Sequence, residues 1–222
     1  MKAGLVLAAG AGKRFGAEPK LLADLDGRPL LEHAIGAACA VSELERVVVV
    51  LGANAEQIVS AVDFMRAEPV ICERWNDGLS ASLRCGLDAL PGCERVIVTL
   101  GDEPLMSAEV IARFLDAPPG ARATYGGRPG HPAVLGPEQI RAIHALTGDR
   151  GAGALLAGGP TIECGEGGIG GDVDTVADLE AIRGRAPSRP TDGRSLSPRR
   201  SASGAPPSRA TSPGSQGSKS DH

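Results

Sequence analysis

The 222 residues carry a formal net charge of −4, with 42% hydrophobic and 23% charged positions. That length suits a single core, since one core commonly serves about 100 to 250 residues, and no apolar run approaches the roughly 18 residues of a membrane span. The five aromatics (Phe15, Phe64, Trp75, Phe114, Tyr125) stand too far apart to stack nucleic-acid bases in series. An acidic body also argues against duplex DNA, so neither nucleic acid nor a membrane is an expected partner.

In chain order, the first segment, Leu5 to Ala8, is a short apolar run that leads into a glycine loop. It imitates a signal peptide, but the apolar run is short and Lys13-Arg14 follow at once, so a buried strand and a cytoplasmic location are expected. Arg46 to Leu51 (RVVVVL) and Arg95 to Leu100 (RVIVTL) read as two more buried parallel strands. Helical patterns occupy Leu30 to Ala40, Ala55 to Val62, and Leu79 to Leu90, where Leu79, Leu83, Leu87 and Leu90 fall on one face. Further helices are expected at Pro137 to Leu146 and Val176 to Arg183. The alternation predicts an α/β fold with right-handed crossovers, a three-layer, doubly wound, mostly parallel sheet whose ligands gather at the strands' carboxyl ends.

Residues 185–222 differ from the body. They hold seven Lys/Arg against two acids, and Ser, Pro and Gly fill 20 of 38 positions, too little apolar surface to offset the entropy of ordering. The expected organisation is therefore one domain at 1–184 followed by a disordered, solvated tail at 185–222. The five cysteines (39, 72, 85, 93, 164) show no CxxC or His-paired spacing and are expected to be free fillers in a reducing compartment.

Polar motifs follow each predicted strand: GAGKRFG, GANAEQ and GDEPL. In the first, glycines allow backbone N–H groups to approach phosphate oxygens without a Cβ in the way. It is not a Walker A loop, because Arg14 follows Gly12-Lys13 where a Mg²⁺-binding Ser or Thr belongs. Its Gly10, Gly12 and Gly16 are spaced one residue too long for a dinucleotide fingerprint. What remains is a glycine turn with three cations, Lys13, Arg14 and Lys20, suited to a triphosphate.

Asp102 directly follows the third strand and is placed to face the crevice, and Mg²⁺ favours one or two carboxylates completed by water and phosphate. A second acidic group, Asp172-Val173-Asp174-Thr175, precedes the last helix, where Thr175 or Asp174 could equally be an N-cap.

With these residues in place the sequence resembles the MobA-like nucleotidyltransferases, most closely the molybdenum cofactor cytidylyltransferase branch. The similarity runs from residue 3 to about 183, through LVLAAGAGKRFG, PKLLADLDGRPLLEH, WNDGLSASLRCGL, LGDEPL, GRPGHPAVLG, GDRGAGALL and DVDTVADL. It implies that fold and a Mg²⁺-dependent transfer of a nucleoside monophosphate onto a phosphorylated acceptor such as molybdopterin, with release of pyrophosphate. By the same resemblance Leu7, Ala8, Ala9, Gly10, Gly12, Lys13, Arg14 and Lys20 hold the nucleotide with Gly78, Ser80 and Ser82, the last three at the base and ribose. Asp102 and Asp174 hold Mg²⁺, Gly130 and His131 line the acceptor side, and Arg14, Lys20 and Asp102 carry catalysis. A molybdoenzyme or its chaperone is the implied receiver.

The chain departs from the branch at Gly12, where Ser is usual, at Glu103, where GDQP is usual, and at Gly153, where a basic residue commonly stands. Ala9, in LAAG, is the family's correlate of CTP in preference to GTP. Two other classes remain open: an NAD(P)H-dependent reductase on the same scaffold, similar to nicotine blue reductases, and a noncatalytic cofactor-delivery protein.

Overall fold

The computed structural model describes residues 1–16, 18–146, 151–165 and 172–185. The chain divides into Met1–Pro190 and Thr191–His222, and all described residues lie in the first unit. The expected tail beyond 185, the Gly148–Arg150 part of GDRGAGALL and residues 166–171 lie outside the described residues.

β1 (Lys2–Ala8) is followed by a 3₁₀ turn (Lys20–Leu22), a two-residue ribbon of β2 (Asp24–Leu25) and β3 (Arg28–Pro29), and α1 (Leu30–Ala40). Then come β4 (Arg46–Leu51), α2 (Ala55–Ala61), β5 (Glu68–Ile71), a 3₁₀ turn (Trp75–Asp77), α3 (Leu79–Asp88) and β6 (Arg95–Leu100). The remainder is α4 (Ala108–Ala112), β7 (Arg122–Tyr125), β8 (Arg128–Leu135), α5 (Pro137–His144), a 3₁₀ turn (Ala152–Ala154), β9 (Thr161–Glu163) and α6 (Val176–Ile182). All three predicted strands and all five predicted helices are present.

The main sheet has seven strands in the order β5-β4-β1-β6-β8-β7-β9. β8 runs antiparallel to both of its neighbours while every other pairing is parallel, so six of the seven strands share one direction. The chain moves outward from β1 through β4 to β5, then returns to place β6 on the other side of β1. Such a reversal opens a crevice above the strand ends.

Period-two alternation sends β1 side chains to opposite faces. Val6 and Ala8 join a core beneath α1, α2, α4 and α6, built on Leu31, Ile35, Ile58, Ile111 and Leu179. Leu5 and Ala9 join the opposite core with Leu83, Leu87 and Ile143 of α3 and α5. These are the three expected layers. Gly86 allows α3 to lie close on the sheet, since a Cβ there would stand 2.4 Å from a Leu5 methyl and 2.7 Å from a Val50 methyl.

Candidate active site

The loops after β1, β4 and β6 are tied together by main-chain bonds. Ala53 N–H donates to the Ala9 carbonyl at 3.1 Å, and Gly101 N–H to the Leu7 carbonyl at 2.8 Å. The glycine loop turns at Gly12, whose φ is +57° and whose carbonyl accepts from Phe15 N–H at 2.9 Å. Lys20 packs beneath this turn, 3.0 Å from where a Gly12 Cβ would lie. Trp75 closes over the loop after β4 so tightly that a Cβ at Gly52 would sit 2.5 Å from it.

Lys20 is only 8% exposed, and its ammonium has two anionic partners. Nζ donates to Asp102 Oδ2 at 2.6 Å and lies 3.5 Å from Asp174 Oδ1. Arg14, largely exposed, reaches the other Asp174 oxygen at 3.0 Å. The Asp174 segment is held beside Asp102 by a bond from Val173 N–H to the Asp102 carbonyl at 3.0 Å.

The N-cap of α6 is Thr175, which accepts from Asp178 N–H at 3.2 Å, while Asp178 accepts from the Thr175 and Asp174 N–H groups at 2.7 and 3.1 Å. Capping thus falls to Thr175 and Asp178, and the Asp174 carboxylate is left to face the cations.

Two carboxylates converging on one cationic nitrogen are a donor set that fits Mg²⁺, a hard cation that keeps water and phosphate in its remaining positions. Among the described residues no group of three or more His, Cys, Asp or Glu side chains is assembled for a metal, so phosphate and water would supply the other donors.

A cavity of about 640 Å³ opens from this corner across the sheet. Leu7, Ala9, Gly10, Gly12, Lys13, Gly78, Ser82, Asp102, Gly130 and His131 line it. Gly78, at φ +107°, starts α3 on its rim.

Two expected nucleotide contacts point elsewhere. Alternation turns the Ala8 side chain into the α1 core, and the Ser80 hydroxyl is fully buried with no partner, away from the cavity wall. Leu79, expected to share a buried face with Leu83, Leu87 and Leu90, is 43% exposed, because the start of α3 overhangs the cavity and Leu79 forms part of its wall.

On the Gly130-His131 side of the cavity, a Cβ at Gly130 would stand 2.9 Å from the Tyr125 ring, and Tyr125 O–H donates to the His131 carbonyl at 2.7 Å. The Glu103 side chain is 1% exposed; one oxygen lies 3.3 Å from His131 Nδ1 and the other has no partner. Burial opposes charging His131, but the Glu103 hydrogen bond and the negative charges of Glu103, Asp172 and Asp102 outweigh it and raise its pKa. Burial first, then repulsion by Asp102 and Glu103, pushes Asp172 up to about 6. The extra charge at Glu103 is therefore turned to the imidazole.

Residues 4–163 match the MobA-like NTP transferase domain. The chain belongs to that family.

This member is 34% identical over 191 residues to the nicotine blue oxidoreductase of Paenarthrobacter nicotinovorans, covering 79% of this chain and 93% of that protein. It is 40% identical over 128 residues to the bifunctional protein GlmU of Mycobacterium sp. strain KMS, covering 54% of this chain and 26% of that one. Among solved structures, Rv0371c of Mycobacterium tuberculosis H37Rv superposes with a TM-score of 0.72 at 27% identity, over 82% of this chain and 96% of that one. A manganese complex of Rv0371c superposes with a TM-score of 0.66 at 25% identity, over 82% and 97%. A nucleotidyl transferase of Methanothermobacter thermautotroptrophicus shares the fold, with a TM-score of 0.70 at 24% identity over 82% and 96%. The MobA-like domain is thus a nucleotidyltransferase-type scaffold with a seven-stranded, mostly parallel sheet.

Trp75, Asn76, Arg122 and Leu156 also line the cavity, although none is among the expected site residues. Trp75 and Asn76 lie within WNDGLSASLRCGL and Leu156 within GDRGAGALL, so a signal was present for all three. Arg122 had none, because its direction depends on strand pairing.

Proposed function

We propose that this MobA-like protein is a Mg²⁺-dependent nucleotidyltransferase that moves CMP from CTP onto a phosphorylated acceptor, molybdopterin or its metal-loaded form, releasing pyrophosphate. The observation that carries the reading is the convergence of Asp102 and Asp174 on Lys20 Nζ directly beneath the Gly12 turn. It joins two carboxylates for a hard cation to a cradle for phosphates.

Gly10 and Gly12 present main-chain N–H groups to the triphosphate, and Lys13, Arg14 and Lys20 supply positive charge around it. Gly78 and Ser82 hold the base and ribose end. Mg²⁺, held by Asp102 and Asp174, would neutralise charge on the phosphates. An acceptor phosphate oxygen, presented from the Gly130-His131 side, bonds to the α-phosphorus as the bond to the bridging oxygen of pyrophosphate breaks. Such chemistry depends on positioning and charge stabilisation and needs no side-chain nucleophile.

In support of the donor, Ala9, the family's correlate of CTP, forms part of the cavity wall. Residues 1–184 are read as the catalytic domain, and 185–222 as an extension outside the reaction. A cytoplasmic site of action fits the described helices, none of which is long and apolar enough to cross a membrane.

A second reading is favoured by the likeness to nicotine blue oxidoreductase along nearly its whole length: an NAD(P)H-dependent reductase in the same cleft. Mass spectrometry after incubation with CTP, Mg²⁺ and molybdopterin separates the two. A cytidylylated pterin supports the transferase. Unchanged CTP with tight, metal-independent NAD(P)H binding supports the reductase.

A further inference from the structure

One cation of the cleft has no part in the phosphate corner. Arg122 opens β7, between Ala121 and Ala123, both fully buried in the α1 core. Alternation therefore turns Arg122 to the opposite face, where it lines the cavity with Pro129, His131, Ala133 and Leu156.

Its position follows from pairing. Arg122 is opposite Ala133, which is opposite Val98 of β6, so two inter-strand steps separate Arg122 from β6, about 10 Å. Asp102 lies further away still, four residues beyond Val98. The Arg122 backbone therefore stands at the end of the cavity remote from Asp102.

The Nε of Arg122 is buried without a hydrogen-bond partner. Among the described residues no carboxylate pairs with this side chain. A buried, unpaired guanidinium donor is costly unless a ligand completes it, and the planar fork of Arg matches carboxylate or phosphate oxygens two at a time. Between it and Asp102 the floor is apolar, formed by Val98, Leu100 and Ala133.

We infer that Arg122 binds a second anionic group of the acceptor, a carboxylate or a phosphate, so that the acceptor is an elongated molecule with its reacting oxygen at the Asp102 end, an apolar or flat body over Val98 and Ala133, and an anion at Arg122. The inference rests on the nucleotidyltransferase reading for the word acceptor, but the anion site itself is testable separately.

The test uses the full-length protein and calorimetric titration. CTP with Mg²⁺ is titrated first, and failure to bind the wild type counts against the nucleotide reading alone. Phenyl phosphate and benzoate, one ring with two headgroups, are then titrated with and without saturating CTP and Mg²⁺. Binding of at least one probe to the wild type, weakened about tenfold in Arg122→Leu and partly restored in Arg122→Lys, with CTP affinity unchanged and the ligand-free melting temperature not lowered, is the expected result. The probe that binds identifies the headgroup. Absence of binding of either probe to the wild type, or equal binding to Arg122→Leu, overturns the assignment. Arg122→Gln replaces Arg122→Leu if the latter does not fold.

Discussion

Lys20 Nζ and Asp102 Oδ2 lie 2.6 Å apart across 82 residues of sequence. The contact joins the segment behind the glycine loop to the end of β6, and Asp174 is brought to the same nitrogen by the start of α6. Three separate stretches of chain thus meet at one point of charge, at the strand ends where the sheet order reverses.

Replacing Asp102 with Asn keeps the shape but removes the charge. Turnover should fall by about 10² or more, with the circular dichroism spectrum unchanged and a stability loss no larger than the roughly 2 kcal/mol of the Lys20 contact. Near-normal turnover would remove Asp102 from the metal role.

Lys20→Met leaves Asp102 and Asp174 without the cation between them. A charge-assisted contact of this kind contributes about 2 kcal/mol, so chemical denaturation should show a loss of that order, together with weaker binding of CTP. Unchanged stability and CTP affinity would show that the bridge is incidental.

Two glycines are expected to be intolerant for different reasons. Gly12→Ala places a side chain at φ +57° and 3.0 Å from Lys20 Cβ, which should cost about 1 kcal/mol and raise the KM for nucleotide. Gly52→Ala sets a Cβ 2.5 Å from Trp75 and 2.6 Å from the Ala9 carbonyl oxygen, an overpacking expected to cost about 1–3 kcal/mol. Denaturation curves and nucleotide titrations of both variants check the two effects.

His33 gives stability a pH dependence away from the site. Nε2–H donates to the Leu25 carbonyl at 2.9 Å, and Nδ1 accepts from Arg28 at 3.0 Å. Burial, the largest effect, together with the Arg28 charge, outweighs the Leu25 bond and the nearby acids and holds the pKa below 6.5. Between that lowered value and 6.5 the unfolded chain binds more protons than the native one, so stability rises with pH across the window. His33's contribution is full above 6.5 and is lost as pH falls below it. Denaturation midpoints measured across this range should fall more steeply on acidification for the wild type than for His33→Gln, and parallel slopes would exclude the effect.

Much of this was legible because it is local. RVVVVL and RVIVTL can be little other than buried strands, and a glycine turn or an Asp that follows such a strand is carried to the sheet's carboxyl edge by the fold itself. β5 was not legible, since EPVI is an edge segment without a full apolar pattern. Nor was the direction of Arg122, which is fixed by the antiparallel return of β8. The Asp174 carboxylate shows the same limit: in the sequence Thr175 or Asp174 could serve as the cap, and only the reciprocal hydrogen bonds of Thr175 and Asp178 leave Asp174 for the cations.

Deleting residues 185–222 should leave turnover and melting temperature nearly unchanged, because α6 closes at Ile182 and the family match ends at residue 163. A large loss of either would bring the segment into the working domain.

The most direct measurement is pyrophosphate release by the purified full-length protein with Mg²⁺, each of CTP, GTP, ATP and UTP, and molybdopterin or its molybdenum-loaded form. Release with CTP, dependent on both pterin and metal, is the predicted result. No release with any nucleotide under those conditions would contradict the cytidylyltransferase account.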